Sequence, residues 1–191
     1  LGPEFDIHTG GIDHIPVHHN NEIAQAVCAG YPYAKYWMHN AHLNMGEEKM
    51  AKSGENFITI QTLKEKNIDP LALRYIFLTA HYSSPLQFSW EALEGGETAL
   101  KKLQLKINSF AEGGKIKETQ FNEFINDDLN TPKAIALIWD ILKDEKINDE
   151  DKKATILDFD KVLGLELNKV ENFEIPENVE TLIKERDLAR K

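Results

Sequence analysis

Apolar positions along the chain keep one period in its first third and another in the rest. Phe5 and Ile7 alternate with Asp6 and His8, as on a short strand with one covered face. Thr9-Gly10-Gly11 then reads as the turn that closes this strand. Pro16 opens a helix predicted over 17–29, with Ile23, Ala26 and Val27 on one face, and Gly30-Tyr31-Pro32 stops it. Strand character returns over 36–39 and 42–45. Strand, glycine turn, helix and strand form a βαβ pattern, and its two strands must run parallel.

From Thr59 onward the period is that of helices. A short helix is predicted over 61–66. Asp69-Pro70 caps a longer one, whose expected buried stripe is Leu73, Ile76, Phe77 and Ala80. Ser89 is placed to cap a long helix running from Trp90 to about Phe110, in which Gly95-Gly96 is a weak point where a kink is expected. Glu112-Gly113-Gly114 reads as a linker. Helices follow over 117–125, 131–142 and 149–162, with Thr131 as a cap and Pro132 in the first turn, and 181–191 reads as a further charged helix. The fold class is therefore α/β followed by all-α, ending in a small helical bundle.

Composition narrows the function. The 191 residues are 41% hydrophobic and 28% charged, as in a globular protein. No apolar run approaches the ~18 residues that span a bilayer, so no membrane partner is expected. A single cysteine, Cys28, excludes an internal disulfide and fits a reducing, cytoplasmic setting. The net charge of -10 argues against broad, non-specific nucleic-acid binding but leaves room for a local groove. The absence of an initiator methionine and the charged helix at the other end read as an excerpt of a longer polypeptide.

Candidate chemistry lies in two segments. His18 and Glu22 are four apart, hence on one helical face, and imidazole and carboxylate are both zinc donors. On spacing alone a hydrogen-bonded pair at a helix start is the favoured reading. Six of the seven histidines precede residue 43, however, and that crowding moves the balance toward a site. His19 is expected to be exposed or capping, and Trp37 and His39, alternating on a strand, are expected in core packing. Gly10-Gly11 ahead of Asp13 suits a turn where backbone approaches a polar or anionic ligand, with Asp13 accepting from ribose hydroxyls or an ammonium. Lys49-Met50-Ala51-Lys52-Ser53 places two ammonium groups on a small loop that can fold over a triphosphate. Arg74, Lys101, Lys102 and Lys106 fit either nucleic acid or a solvated helix face.

These segments together resemble the class I aminoacyl-tRNA synthetases, in their cysteine-specific branch. The resemblance is carried by Phe5-Asp6-Ile7-His8-Thr9-Gly10-Gly11-Ile12-Asp13, His18-His19-Asn20-Asn21-Glu22-Ile23-Ala24-Gln25, Tyr36-Trp37-Met38-His39-Asn40 and the Lys49–Ser53 loop. Asp128-Leu129-Asn130-Thr131-Pro132 and Asp160-Lys161-Val162-Leu163-Gly164-Leu165 extend it into the helical part. Ala51 stands where that family usually has serine, while both lysines remain.

The resemblance implies the second half of a Rossmann-type catalytic domain over 1–58, a stem-contact region over 59–112, and a helical bundle over 113–191 leading to an anticodon-binding domain. It implies ATP-dependent activation of cysteine and its transfer to tRNA(Cys), with Zn2+ held by His18, Glu22 and two cysteines upstream of Leu1. Mg2+ would accompany ATP. Lys49 and Lys52 would be catalytic, and Gly10, Gly11, Asp13, Lys52 and Ser53 would bind ATP or substrate. A thiolate binds zinc better than a hydroxyl does, which gives a basis for rejecting serine. A monomer is expected, and the 191 residues alone are expected to be inactive. Two rivals remain: a cysteine ligase of the mycothiol pathway, and a non-catalytic RNA-docking module.

Overall fold

The computed structural model describes residues 4–45, 48–49 and 58–169, with backbone alone for 48–49. Strand β1 (Glu4–Gly11) pairs parallel with β2 (Tyr33–Asn40), in register from Glu4↔Tyr33 to Gly11↔Asn40. The expected parallel βαβ unit is thus present. Both strands are longer than their alternation indicated: Gly10 and Gly11 pair with His39 and Asn40 inside the ladder and do not form a turn.

The crossover also differs from expectation. Helical backbone begins at a 3-10 turn, Ile12–His14, continues as a π turn, Ile15–His19, and becomes regular only in α1 (Asn20–Cys28). Pro16 supplies no backbone N–H, so the first regular turn waits until the proline is passed, and wider and tighter turns fill the gap.

The second strand expectation, 42–45, belongs to a different sheet. There β3 (Leu43–Met45) lies between an antiparallel β4 (Glu48–Lys49) and a parallel β5 (Leu86–Phe88). The Ala41 N–H donates to the Tyr82 carbonyl at 2.9 Å and the Leu86 N–H to that of His42 at 3.1 Å, so the end of β2 is sewn to the segment around 82–86. Strand β5, three residues between Pro85 and Ser89, is too short to show a period.

Local chemistry explains the helices. The Thr59 hydroxyl accepts from the Thr62 N–H in a capping box ahead of α2 (Ile60–Glu65). Asp69 caps α3 (Pro70–Thr79) and Ser89 caps α4 (Trp90–Asn108), both as read from the sequence. The fully buried positions of α3 are Ala72 and Tyr75; of the expected stripe Leu73 and Ile76 are half-buried against the core, while Phe77 remains 44% exposed. A partner explains it: the Trp139 indole N–H donates to the Tyr75 hydroxyl at 3.1 Å, which turns Tyr75 inward. Helix α4 runs unbroken through Gly95-Gly96. A Cβ on Gly96 would lie 2.6 Å from Ile76 Cγ1, so this glycine permits close approach of α3 and marks no break.

Helices α5 (Phe121–Asn126), α6 (Thr131–Lys143) and α7 (Asp149–Leu163) complete the core. Leu100, Leu103, Ile107, Ile138, Ile156 and Leu163 are fully buried, and Phe121 stacks on Phe159 with centroids 4.1 Å apart. Burying each such side chain is worth about 1.5–3 kcal/mol. Thr131 is the first helical residue of α6, with Asn130 ahead of it, and it makes no cap.

The expected linker is not free. The Lys115 and Lys117 N–H groups donate to Asp151 Oδ1 (2.6 Å) and Thr155 Oγ1 (2.9 Å), and Lys117 Nζ pairs with Asp151 Oδ2 at 2.7 Å. A side chain on Gly114 would run into the Glu150 carbonyl. Because 115–117 are held this way, α5 starts at Phe121 and not at 117. At the other end of α7, Arg74 Nε donates to the Leu163 carbonyl at 2.6 Å, and Gly164 closes the helix at φ 62°. The helix expected over 181–191 lies outside the described residues. No helix among the described residues is long and apolar enough to cross a membrane.

Candidate functional site

Strand β1 delivers His8, the π turn delivers His18 and His19, α1 delivers Glu22, and β2 delivers Trp37 and His39. Parallel pairing sets His8 beside Trp37 in register, and the crossover folds its histidines back over that strand pair. Gly10 makes room for them: a Cβ there would sit 2.6 Å from His19 Cε1 and 2.9 Å from His14 Nδ1.

Glu22 is the centre of this group. Its Oε2 lies 2.8 Å from His8 Nε2 and 3.9 Å from His19 Nε2, while its Oε1 faces His18 Nε2 at 3.4 Å. Donor atoms of His8, His19 and Glu22 all lie within 4.8 Å of one another. His19, only 3% exposed, also bonds through Nδ1 to His39 Nε2 at 2.8 Å, so one of those rings donates and the other accepts. Burial disfavours the charged form of His19 and holds its pKa below the ordinary value, and the neighbouring His8 adds to this against the pull of Glu22. For Glu22 burial acts upward, but the hydrogen bond from His8 and the fields of His8, His18 and His19 outweigh it, and its pKa is lowered.

The expected pair of His18 and Glu22 is therefore brought together, in a larger assembly than spacing indicated. His19 is buried and bonded, not exposed or capping. Trp37 and His39 form a wall of the site and not aliphatic core: their rings stack at 6.2 Å and 9°, and His8 meets Trp37 edge-on at 4.7 Å. Sequence reasoning missed His8, His19 and His39 as members. The crowding of histidines was the available signal, but only the strand register shows which of them converge.

The second candidate surface adjoins the first. Asp13 Oδ1 lies 3.7 Å from His42 Nε2, and a Cβ on Gly11 would run into the Asp13 carboxylate, so Gly11 lets Asp13 fold back on the strand end. Of the loop, the backbone of Lys49 in β4 pairs with Asn44 of β3, and the Lys49 side chain, with Lys52 and Ser53 entirely, lies outside the described residues. An imidazole–carboxylate donor set of this kind suits zinc.

Residues 1–98 match the family described as tRNA synthetases class I (C) catalytic domain, and residues 120–168 match the DALR domain. The chain belongs to the class I (C) tRNA synthetase catalytic-domain family. Within that class, curated relatives of the chain include cysteine–tRNA ligases. That of Burkholderia lata is 44% identical over the whole chain, which covers 42% of the relative, and that of Hamiltonella defensa is 39% identical, with 46% of it covered. The chain thus spans less than half the length of these relatives. Solved structures share the fold. An LeuRS–tRNA–LeuAMS ternary complex of Agrobacterium radiobacter K84 aligns at TM-score 0.58 and 14% identity, covering 84% of this chain and 26% of that one. Mycobacterium tuberculosis methionyl-tRNA synthetase with methionyl-adenylate aligns at 0.51 and 16%, covering 84% and 40%.

Proposed function

We propose that this chain supplies the metal-binding and RNA-side part of a cysteine–tRNA ligase, which activates cysteine with ATP and transfers it to tRNA(Cys). The observation that carries the reading is the Glu22 carboxylate, ringed by three imidazoles on the strand–helix unit whose whole-chain relatives are cysteine–tRNA ligases. The DALR match supports RNA charging over the amino-sugar ligase, which needs no such helical region.

His18 and Glu22 would hold zinc in this reading. His8 bonds the other carboxylate oxygen and fixes the orientation of Glu22, as a hydrogen-bonding neighbour does for many metal ligands. A bound zinc ion supplies a soft coordination position that a substrate thiolate fills better than a hydroxyl does. Buried His19, bonded to His39, shapes the floor beneath the substrate. Asp13 accepts hydrogen bonds from the ribose or the cysteine ammonium beside Gly10-Gly11. The cysteine carboxylate attacks the α-phosphorus of ATP, and pyrophosphate leaves with its growing charge met by Lys52, supported by Lys49. The adenylate then gives its acyl group to the terminal ribose of the tRNA. Residues 59–112 lie under the acceptor arm, and 113–191 lead toward the anticodon in this scheme.

The test is cysteine-dependent ATP–pyrophosphate exchange and tRNA(Cys) charging by a polypeptide matched in length to the relatives. The 191 residues alone are expected to give no exchange. In the longer protein, Glu22→Gln is expected to lower zinc affinity at least ~10-fold and His18→Ala likewise. Unchanged zinc stoichiometry in both variants would overturn the metal assignment.

A further inference from the structure

Among the described residues a cavity of about 310 Å³ opens between the end of β2 and the chain that follows α3, lined in part by Asn40, His42, Phe77, His81, Tyr82 and Ser84. It is separate from the histidine site: neither Gly10, Gly11 and Asp13 nor any residue around Glu22 lines it, and His42 stands between it and Asp13. Among the described residues its lining contains no Asp, Glu, Lys or Arg, so polar recognition there falls to the hydrogen-bonding groups of Asn40, Tyr82 and Ser84 and the imidazoles of His42 and His81. It does offer flat faces and hydrogen-bonding edges. Phe77 presents an exposed ring, and His81 and Tyr82 stack at 4.8 Å and 30°.

The wall made by His81 and Tyr82 is held at a conformational cost. The Tyr82 hydroxyl donates to Asp128 Oδ1 at 2.6 Å and His81 Nε2 meets the Asp128 carbonyl at 2.8 Å. Ser83 N–H points at His81 Nδ1 (3.3 Å), which leaves Nε2 as the protonated nitrogen that donates to Asp128. To present both acceptors, Asp128 and its neighbour Leu129 sit at φ 52° and 54°, left-handed backbone that side chains other than glycine rarely adopt. Such strain persists where surrounding contacts hold a ligand-facing surface in place.

We propose that this cavity binds one unstacked nucleobase of a single-stranded RNA end, with Phe77 as the stacking face and Asp128 as a positioning residue for the His81–Tyr82 wall. A neutral, planar, hydrogen-bonding ring fits an uncharged aromatic lining, and RNA is commonly read through such splayed bases. The proposal rests on the RNA-charging reading above. It adds where, on the helical side of His42, the RNA is gripped.

The test uses a polypeptide matched in length to the relatives and a four-nucleotide single-stranded RNA carrying 2-aminopurine, titrated by fluorescence, with AMP and duplex RNA as competitors. Phe77→Ala is expected to weaken binding about tenfold, Phe77→Trp to restore it, and Asp128→Asn to weaken it about threefold. Circular dichroism checks that each variant keeps the fold. Equal binding by wild type and Phe77→Ala, or no binding by either, overturns the proposal. Full displacement by equimolar AMP also overturns it, by making the cavity a mononucleotide pocket. Zinc content of the same chain is measured separately, so a failed metal assignment and a failed base site give different results.

Discussion

The strand–helix lobe of residues 4–45 and the helical part of residues 58–169 solve the problem of burial in opposite ways. The helical part hides aliphatic side chains completely: Leu63, Leu93, Leu103, Ile107, Ile138 and Ile156 have no exposed surface. In the lobe the fully interior positions are His19 and Ala41, while Ile7 and Tyr36, neighbours across the two strands, are 62% and 69% exposed. Parallel sheets ordinarily have both faces covered. Interior space that a stable core would fill with leucine is here occupied by imidazole and carboxylate groups. Within these 191 residues, less than half the length of the relatives, the two parts thus differ in what fills their interior: aliphatic side chains in one, imidazole and carboxylate groups in the other.

The sharpest way to break that comparison is a pair of truncations. Ile138→Ala should cost about 2–5 kcal/mol and show as a large fall in the denaturation midpoint, whereas Ile7→Ala should cost under about 0.5 kcal/mol. Similar losses from both would mean that the lobe has a core of its own. A smaller effect is expected where the helical part meets its connecting segment. Gly114→Ala forces a methyl group into the Glu150 carbonyl and should destabilise the helical part by about 1–3 kcal/mol, read by thermal unfolding.

The smallest effect depends on pH. Asp151 is held below the ordinary carboxylate range by the Lys115 N–H and the Lys117 ammonium, against an upward push from burial. Its contribution is therefore complete above its unfolded value of about 3.9 and disappears as pH falls through the lower folded value. Hydrogen exchange at the Lys115 and Lys117 amides should accelerate across that acidic window in wild type, and Asp151→Asn should abolish the pH dependence. Acid-insensitive protection in wild type would show that the carboxylate is not what holds the segment.

Much of this was legible from residue types. Asp69-Pro70 and Ser89 declare their helix starts because capping is local chemistry, and the alternation around Phe5–His8 with the glycines and Pro16 sufficed for a parallel βαβ unit. What was not legible depends on contacts distant in sequence. Phe77 stays outside because Trp139, 64 residues beyond Tyr75, turns Tyr75 inward. Gly95-Gly96 looked like a kink because the sequence does not show Ile76 packed against it. In the site, His18 and Glu22 could be paired from spacing alone, since both sit on one turn of chain. His8 and His39 arrive from separate strands, and only register brings them to Glu22 and His19. The Lys49–Ser53 motif remains a reading of residue types, since its side chains fall outside the described residues.

The grip of α7 on residues 112–117 has a mechanical consequence. Lys153 reaches back to the Phe110 carbonyl and to Glu112, while Arg74 holds the opposite tip of the same helix. The rod is thus pinned twice, to the segment after α4 at one end and to α3 at the other. A load on it would be shared between the two pins, as in a beam resting on two supports.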